Sequence, residues 1–197
     1  QDRMDFIWVA TQTGLARFDG HQFKIFDSNN TPALRSSHIS AIEVDGEGVL
    51  WINTAKGLAY YRDQQFHEVR LAADVMFRAQ QLTRDEQGNV YAIGKQVYLS
   101  KPEEQKQITF LPETVRNFFA HQGFFWVQTD NFLWQYHLDF SLVDKTPLDR
   151  TQVNIKNMLR WNGEDYLCTN QGVMLLKPDG LRHAVLLEKG DVYGCYV

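Results

Sequence analysis

Residues 7 to 23 read IWVATQTGLARFDGHQF, and residues 50 to 66 read LWINTAKGLAYYRDQQF. Trp8 and Trp51, Thr11 and Thr54, Gly14 and Gly57, and Phe23 and Phe66 each stand 43 positions apart, while the residues between them drift. A fixed period near 40 residues marks an array built from one supersecondary unit. Weaker copies follow at Val90 (VYAIGKQVYLS), Phe125 (FWVQTDNFLWQY) and Tyr166 (YLCTNQGVMLLKPDG). Aligned on the aromatic after the opening apolar residue, five units place Trp8, Trp51, Tyr91, Trp126 and Tyr166 in one column, at intervals of 43, 40, 35 and 40 residues.

Each unit reads as strands. In IWVAT, Ile7, Val9 and Thr11 point one way and Trp8 and Ala10 the other, so neither face is polar and the strand must lie between layers. A turn follows at Gly14, Gly57 or Gly172, with Asn131 in the equivalent place of the fourth unit, and these residues are expected to take positive φ. LARFD and LAYYR form the next strand; QFKIF and QFHEV form the outer one. Upstream of the aromatic, HISAIEVDGEGVLW, QLTRDEQGNVYA, VRNFFAHQGFFW and IKNMLRWNGEDYLC each give a strand, a Gly-bearing polar turn and the aromatic strand, which is a hairpin signature. Four short antiparallel strands in about 40 residues, apolar on both faces, describe a blade packed between neighbours. The sequence therefore predicts an all-β fold, a β-propeller of four-stranded antiparallel blades. Its units are 1–38, 39–78, 79–114, 115–153 and 154–190, with 191–197 starting or closing a further blade. DVYGCYV, from Asp191, aligns with HISAIEV and can supply an inner strand that the first unit lacks. The kept Thr is expected to bond locally at its strand end. No run of ten or more residues has the 3.6 periodicity of a helical solenoid.

Composition agrees. Of 197 residues 44% are hydrophobic and 22% charged, which is the content of a folded globular protein. A net charge of -4 without clustered Lys or Arg gives no field for nucleic acid or an anionic membrane. No stretch is apolar for long enough to span a bilayer, and QDRMDF has neither the charged start nor the apolar core of a signal peptide. Cys168 and Cys195 lack metal-ligand spacing and are expected to be reduced and buried.

DFIWVATQTGLARFDGHQF followed by ISAIEVDGEGVLWINTAKGL resembles the repeat of the two-component regulator propeller family. The match is close over residues 1 to 66 and looser beyond: the third unit has YAIGKQV, the fourth lacks the glycine, and the fifth has Tyr166 for Trp. The resemblance implies the sensory, periplasmic half of a bacterial inner-membrane signalling protein, ahead of a histidine kinase or diguanylate cyclase output lying outside these residues. It also implies a homodimer in the full-length protein and a small-molecule or oligosaccharide ligand. Five units are then either part of a seven-bladed ring, which at this period takes about 280 residues, or a small closed one. QD before the first IW resembles the start of an ectodomain just after an export signal has been removed.

Chemistry-bearing residues are sparse. His21, His38, His67, His121, His137 and His183 lie far apart with no metal-binding spacing, so no metal and no cofactor are expected. DGEG at Asp45 and DEQG at Asp85 lack the remaining ligands of a calcium loop and read as hairpin turns. No nucleophile elbow or phosphate loop appears, and catalysis is not expected of these residues. The recurrent aromatics are expected in the core. Trp134 and Trp161 fall off that column; Trp161, in LRWNGED, abuts a turn and is the ligand-binding candidate. The alternatives are a propeller-fold enzyme such as a polysaccharide lyase or glycoside hydrolase, marked by paired carboxylates or a metal cluster at the channel, and a protein-interaction scaffold, marked by an exposed apolar patch.

Overall fold

Leu50, Trp51, Ile52, Asn53 and Thr54 are all buried, so the strand they form has no solvent face and lies between layers. The computed structural model describes residues 2–70, 79–94, 97–102, 105–108, 115–148, 153–177 and 180–186, with backbone alone at 105, 177 and 180–186. The described residues form five antiparallel sheets and contain no α-helix, only the 3-10 turn Pro32–Leu34.

The chain divides into two compact units, Gln1–Thr109 and Phe110–Val197. The first unit holds three sheets: β1 (Ile7–Ala10), β2 (Leu15–Phe18) and β3 (Phe23–Phe26); β4 (Ile39–Val44), β5 (Leu50–Thr54), β6 (Gly57–Arg62) and β7 (Gln65–Glu68); and β8 (Gln81–Arg84), β9 (Val90–Ile93), β10 (Val97–Ser100) and β11 (Gln105–Ile108). The second holds two: β12 (Asn117–His121), β13 (Phe124–Gln128), β14 (Phe132–His137) and β15 (Leu142–Pro147); and β16 (Ile155–Trp161), β17 (Glu164–Thr169), β18 (Gly172–Lys177) and β19 (Gly180–Leu186). Strand order within each sheet follows chain order, the meander that hairpin connections produce. The first sheet has three strands where the others have four, and DVYGCYV lies outside the described residues.

The kept Thr does what a hydroxyl at a strand end can do. Thr11, Thr54 and Thr169 donate Oγ1–H to the carbonyls of Gly14, Gly57 and Gly172 at 2.7, 2.8 and 2.8 Å, and Thr129 donates to the Phe132 carbonyl at 3.2 Å. That bond corrects the fourth unit, because Phe132 and not Asn131 occupies the glycine's place, and Asn131 has no positive φ. Gly57 and Gly172 take the positive φ expected of them, at 141° and 123°, although their backbone is more extended than a left-handed turn. Asp63–Gln64, Gln122–Gly123 and Asn162–Gly163 form two-residue hairpin turns with φ between 50° and 82°, of the kind that match strand twist.

Successive sheets of the first unit pack face on face. Trp8, Leu15 and Phe26 of the first sheet bury against Leu50, Ile52, Ala59 and Tyr61 of the second. Val49, Trp51 and Leu58 on the opposite face of the second sheet bury against Leu82, Val90 and Ala92 of the third. In the second unit, Phe119 and Leu133 meet Ile155, Met158 and Leu167. A fully buried indole such as Trp51 removes roughly 200 Å² from water, worth about 5 kcal/mol before ordering costs. The column of aromatics is buried at Trp8, Trp51 and Tyr91 but only half-buried at Trp126 and Tyr166, which corrects the expectation of uniform burial.

Buried amides lace adjacent sheets at one register. Asn53, two residues after Trp51, donates Nδ2–H to the Ala79 carbonyl at 2.7 Å. Gln128, two after Trp126, donates Nε2–H to the Val153 carbonyl at 2.5 Å and accepts from Ile155 N–H at 2.9 Å. Cys168, two after Tyr166, stands at the same register, fully buried, and is disulfide-bonded. The expectation of a reduced thiol is therefore overturned there. The chain's other cysteine, Cys195, lies outside the described residues.

Candidate functional site

Trp161 ends β16 immediately before the Asn162–Gly163 turn, and its side chain is 53% exposed, as its place beside a turn implied. It pairs across the hairpin with Glu164. The Tyr166 ring, two residues further along β17 on the same face, lies 6.2 Å from the indole at an interplanar angle of 57°. The Tyr166 hydroxyl donates to Glu164 Oε2 at 3.3 Å, and desolvation, then the Glu164 charge, raises the phenol above its ordinary pKa. An open indole, a phenol and a carboxylate thus share one surface. The other face of the same hairpin is ionic: His121 Nε2 lies 3.0 Å from Asp165 Oδ1, and Arg160 donates to Gln122 Oε1 at 3.1 Å. Trp134, also off the column, is 7% exposed, with Lys145 Nζ 4.1 Å from its ring centroid, and offers no such surface.

In the first unit a cleft of about 530 Å³ is lined by Asp2, Arg3, Glu47, Tyr61, Arg62 and Asp63 among others. Its charges are largely committed. Asp2 accepts from Trp8 Nε1–H and from the Met4 and Phe6 backbone, Arg3 donates to the Gly46 carbonyl, and Arg62 lies 3.4 Å from Asp63. A groove lined by such hydrogen-bonded groups of both signs can bind a polar solute, but it presents no poised base or nucleophile.

The hairpin reading of Asp45 and Asp85 stands on geometry. Asp45 accepts from the Glu47 and Val49 backbone at 2.9 Å and from the Trp51 indole; Asp85 accepts from the Asn89 backbone at 2.8 Å and from the Tyr91 hydroxyl. Among the described residues no three His, Cys, Asp or Glu side chains could hold a metal ion, and no helix is long and apolar enough to cross a membrane.

No protein-family model matches the chain, and no curated protein matches it by sequence. Solved structures do. The chain is similar to the extracellular domain of BT3049 from B. thetaiotaomicron, a protein classed as a hybrid two-component system, with a TM-score of 0.72 and 17% identity over 94% of this chain and 29% of that one. It is similar in the same way to the extracellular domain of BT4673 from B. thetaiotaomicron, with a TM-score of 0.67 and 17% identity over 95% of this chain and 29% of that one. Virginiamycin B lyase from Staphylococcus aureus is a third, with a TM-score of 0.62 and 7% identity over 90% of this chain and 65% of that one. At these identities the likeness establishes the fold: all-β, antiparallel and propeller-like. The chain spans less than a third of the length of these two extracellular domains.

Proposed function

We propose that this chain is part of the periplasmic sensory region of a bacterial transmembrane signalling protein of the two-component regulator propeller type, that it binds a ligand and that it does not turn one over. The observation that carries the reading is the fold likeness to extracellular domains of two-component systems over 94% and 95% of the chain. The disulfide at Cys168 supports an oxidising compartment, where such bonds persist. The output domain, a histidine kinase or diguanylate cyclase, belongs to the remainder of the same protein, which we propose acts as a homodimer. The ligand is a small polar solute or oligosaccharide, because the Trp161 indole offers a stacking surface beside the Glu164 carboxylate, and the cleft mixes three carboxylates with two guanidiniums rather than presenting charge of one sign. A sensor of this kind signals only by binding one arrangement of its sheets or subunits more tightly than another.

The test is a thermal-shift screen against sugars, amino acids and peptides, with product analysis of every hit. Saturable stabilisation with the ligand recovered unchanged supports the sensor, and a ligand at 100 times its Kd adds about 2.7 kcal/mol. The likeness to virginiamycin B lyase favours a second reading, an enzyme on the same fold. Steady consumption of a hit would establish that reading instead.

A further inference from the structure

Two pairs of rings in the second unit meet at nearly the same separation and tilt, and one of them already holds a cation. Phe132 and Trp134, alternate residues of β14, have centroids 5.7 Å apart and an interplanar angle of 60°. The Lys145 ammonium, from the neighbouring strand β15, lies 3.7 Å from the Phe132 centroid and 4.1 Å from that of Trp134. Both distances are well inside the roughly 6 Å over which the face of a ring attracts a cation. Trp161 and Tyr166 repeat the arrangement across the β16–β17 hairpin, with centroids 6.2 Å apart at 57°. Strand register puts Glu164 opposite Trp161 and two residues before Tyr166, on the same face, and its carboxylate accepts from the Tyr166 hydroxyl at 3.3 Å. Trp134, under Lys145, is 7% exposed, whereas Trp161 is 53% exposed. The chain fills the first corner itself and leaves the second open to solvent.

We propose that the Trp161–Tyr166 corner binds an organic ammonium ion, the head of a small amine or quaternary ammonium solute, as the Phe132–Trp134 corner binds Lys145, with Glu164 as the counter-charge. The proposal rests on the reading of Trp161 as a ligand-binding residue and names the chemistry of that ligand. Inclined rings bring two negative π-faces to bear on one cation, and a carboxylate beside them adds to the same field. A neutral sugar would stack on one ring and draw nothing from the charge, and an anionic solute would be repelled by it. The carboxylate is felt at this surface, since desolvation and then the Glu164 charge raise the Tyr166 phenol above its ordinary pKa. Arg160 and His121 engage Gln122 and Asp165 on the opposite face of the hairpin.

The indole emission of the 197-residue chain tests it, read as the difference from Trp161→Phe so that this one ring reports. The chain is titrated at constant ionic strength with choline, with tetramethylammonium, and with dimethylbutanol, the uncharged carbon isostere of choline. Saturable change with both cations is expected, with the isostere binding about tenfold more weakly than choline. Glu164→Gln is expected to weaken choline by about two- to fivefold. Trp161 and Glu164 are both exposed, so melting curves of the two variants should match that of the parent. An isostere that binds as well as choline overturns the proposal, because the corner then reads shape and not charge. A neutral sugar that alters Trp161 emission where the cations do not also overturns it, and leaves Trp161 as a ligand-binding residue. Silence from cations and sugars alike overturns both the ammonium and the reading of Trp161.

Discussion

The Trp51 indole donates its N–H to Asp45 Oδ2 at 3.0 Å, six residues back across the β4–β5 hairpin. The same bond joins Trp8 to Asp2 at 2.7 Å and the Tyr91 hydroxyl to Asp85 at 3.0 Å, again at a separation of six. In each case the second carboxylate oxygen holds the backbone of the turn, so one Asp ties the turn to the aromatic of the strand that follows it. Six residues before Trp126 stands Ala120, and Trp126 Nε1 is buried with no partner among the described residues. Asp45→Ala strips three donors of their acceptor and is expected to cost about 2–4 kcal/mol in chemical denaturation. In a double-mutant cycle with Trp51→Phe, the effects are expected to be non-additive by about 1 kcal/mol.

Gly46 and Gly88 bring neighbouring turns into backbone contact. Gly46 N–H donates to the Gly88 carbonyl at 2.8 Å, and a Cβ on Gly88 would lie 2.5 Å from Gly46 Cα. Gly88→Ala therefore meets backbone that cannot swing aside, in addition to the strain of its φ of +86°. Gly20→Ala, at φ +96° with nothing within 4 Å of the new methyl, carries the strain alone. Melting curves are expected to show Gly88→Ala well below Gly20→Ala, and equal midpoints would dissolve the turn contact.

Burial, then the negative charge and hydrogen bond of Asp85, push the Tyr91 phenol above its ordinary pKa. In the denatured chain the phenol ionises near its free value of about 10. The folded state thus holds a proton that the unfolded state releases, so the contribution is complete below about pH 10 and is lost as pH rises beyond it. Stability measured between pH 9 and about 11 is expected to fall by up to about 1.4 kcal/mol per pH unit at the upper end, and Tyr91→Phe is expected to flatten the decline.

Trp161 is 53% exposed and borders a two-residue turn. Trp161→Ala is expected to move the unfolding free energy by under about 1 kcal/mol. It should nonetheless weaken any ligand found in the thermal-shift screen by tenfold or more if the indole stacks on it. Binding unchanged by Trp161→Ala would direct attention to the cleft beside Tyr61.

The architecture was legible because packing between sheets repeats: an aromatic, a Thr, a small turn residue and an outer Phe each answer to a contact that recurs every 40 residues or so. Deviations were legible only where the contact itself could be read. Phe132 takes the glycine's place because the Thr129 hydroxyl still reaches its carbonyl, and residue type alone pointed to Asn131 instead. The Asp at six before the aromatic was visible at Asp2, Asp45 and Asp85, but its bond to the ring nitrogen or hydroxyl depends on how the turn folds back. Trp161 was found by its turn. The cleft beside Tyr61 was not, since its lining comes from three separate turns and strand ends.

Cys168 occupies the register at which Asn53 and Gln128 reach forward to the next segment of chain, 26 and 25 residues on. Cys195 lies 27 residues beyond Cys168, the only other cysteine in the sequence. A disulfide between them would replace an amide clamp by a covalent one, and closing a loop of that length is worth about 2–4 kcal/mol through the unfolded chain. A non-reducing peptide map is expected to link the two cysteines, and no thiol should be alkylated before reduction. Cys168→Ala and Cys195→Ala should each lower stability by that order, while the double variant should cost little more than Cys168→Ala alone, because the second substitution removes a partner already lost. Additive losses, or a thiol that labels without reductant, would separate Cys168 from Cys195 and leave the register without its clamp.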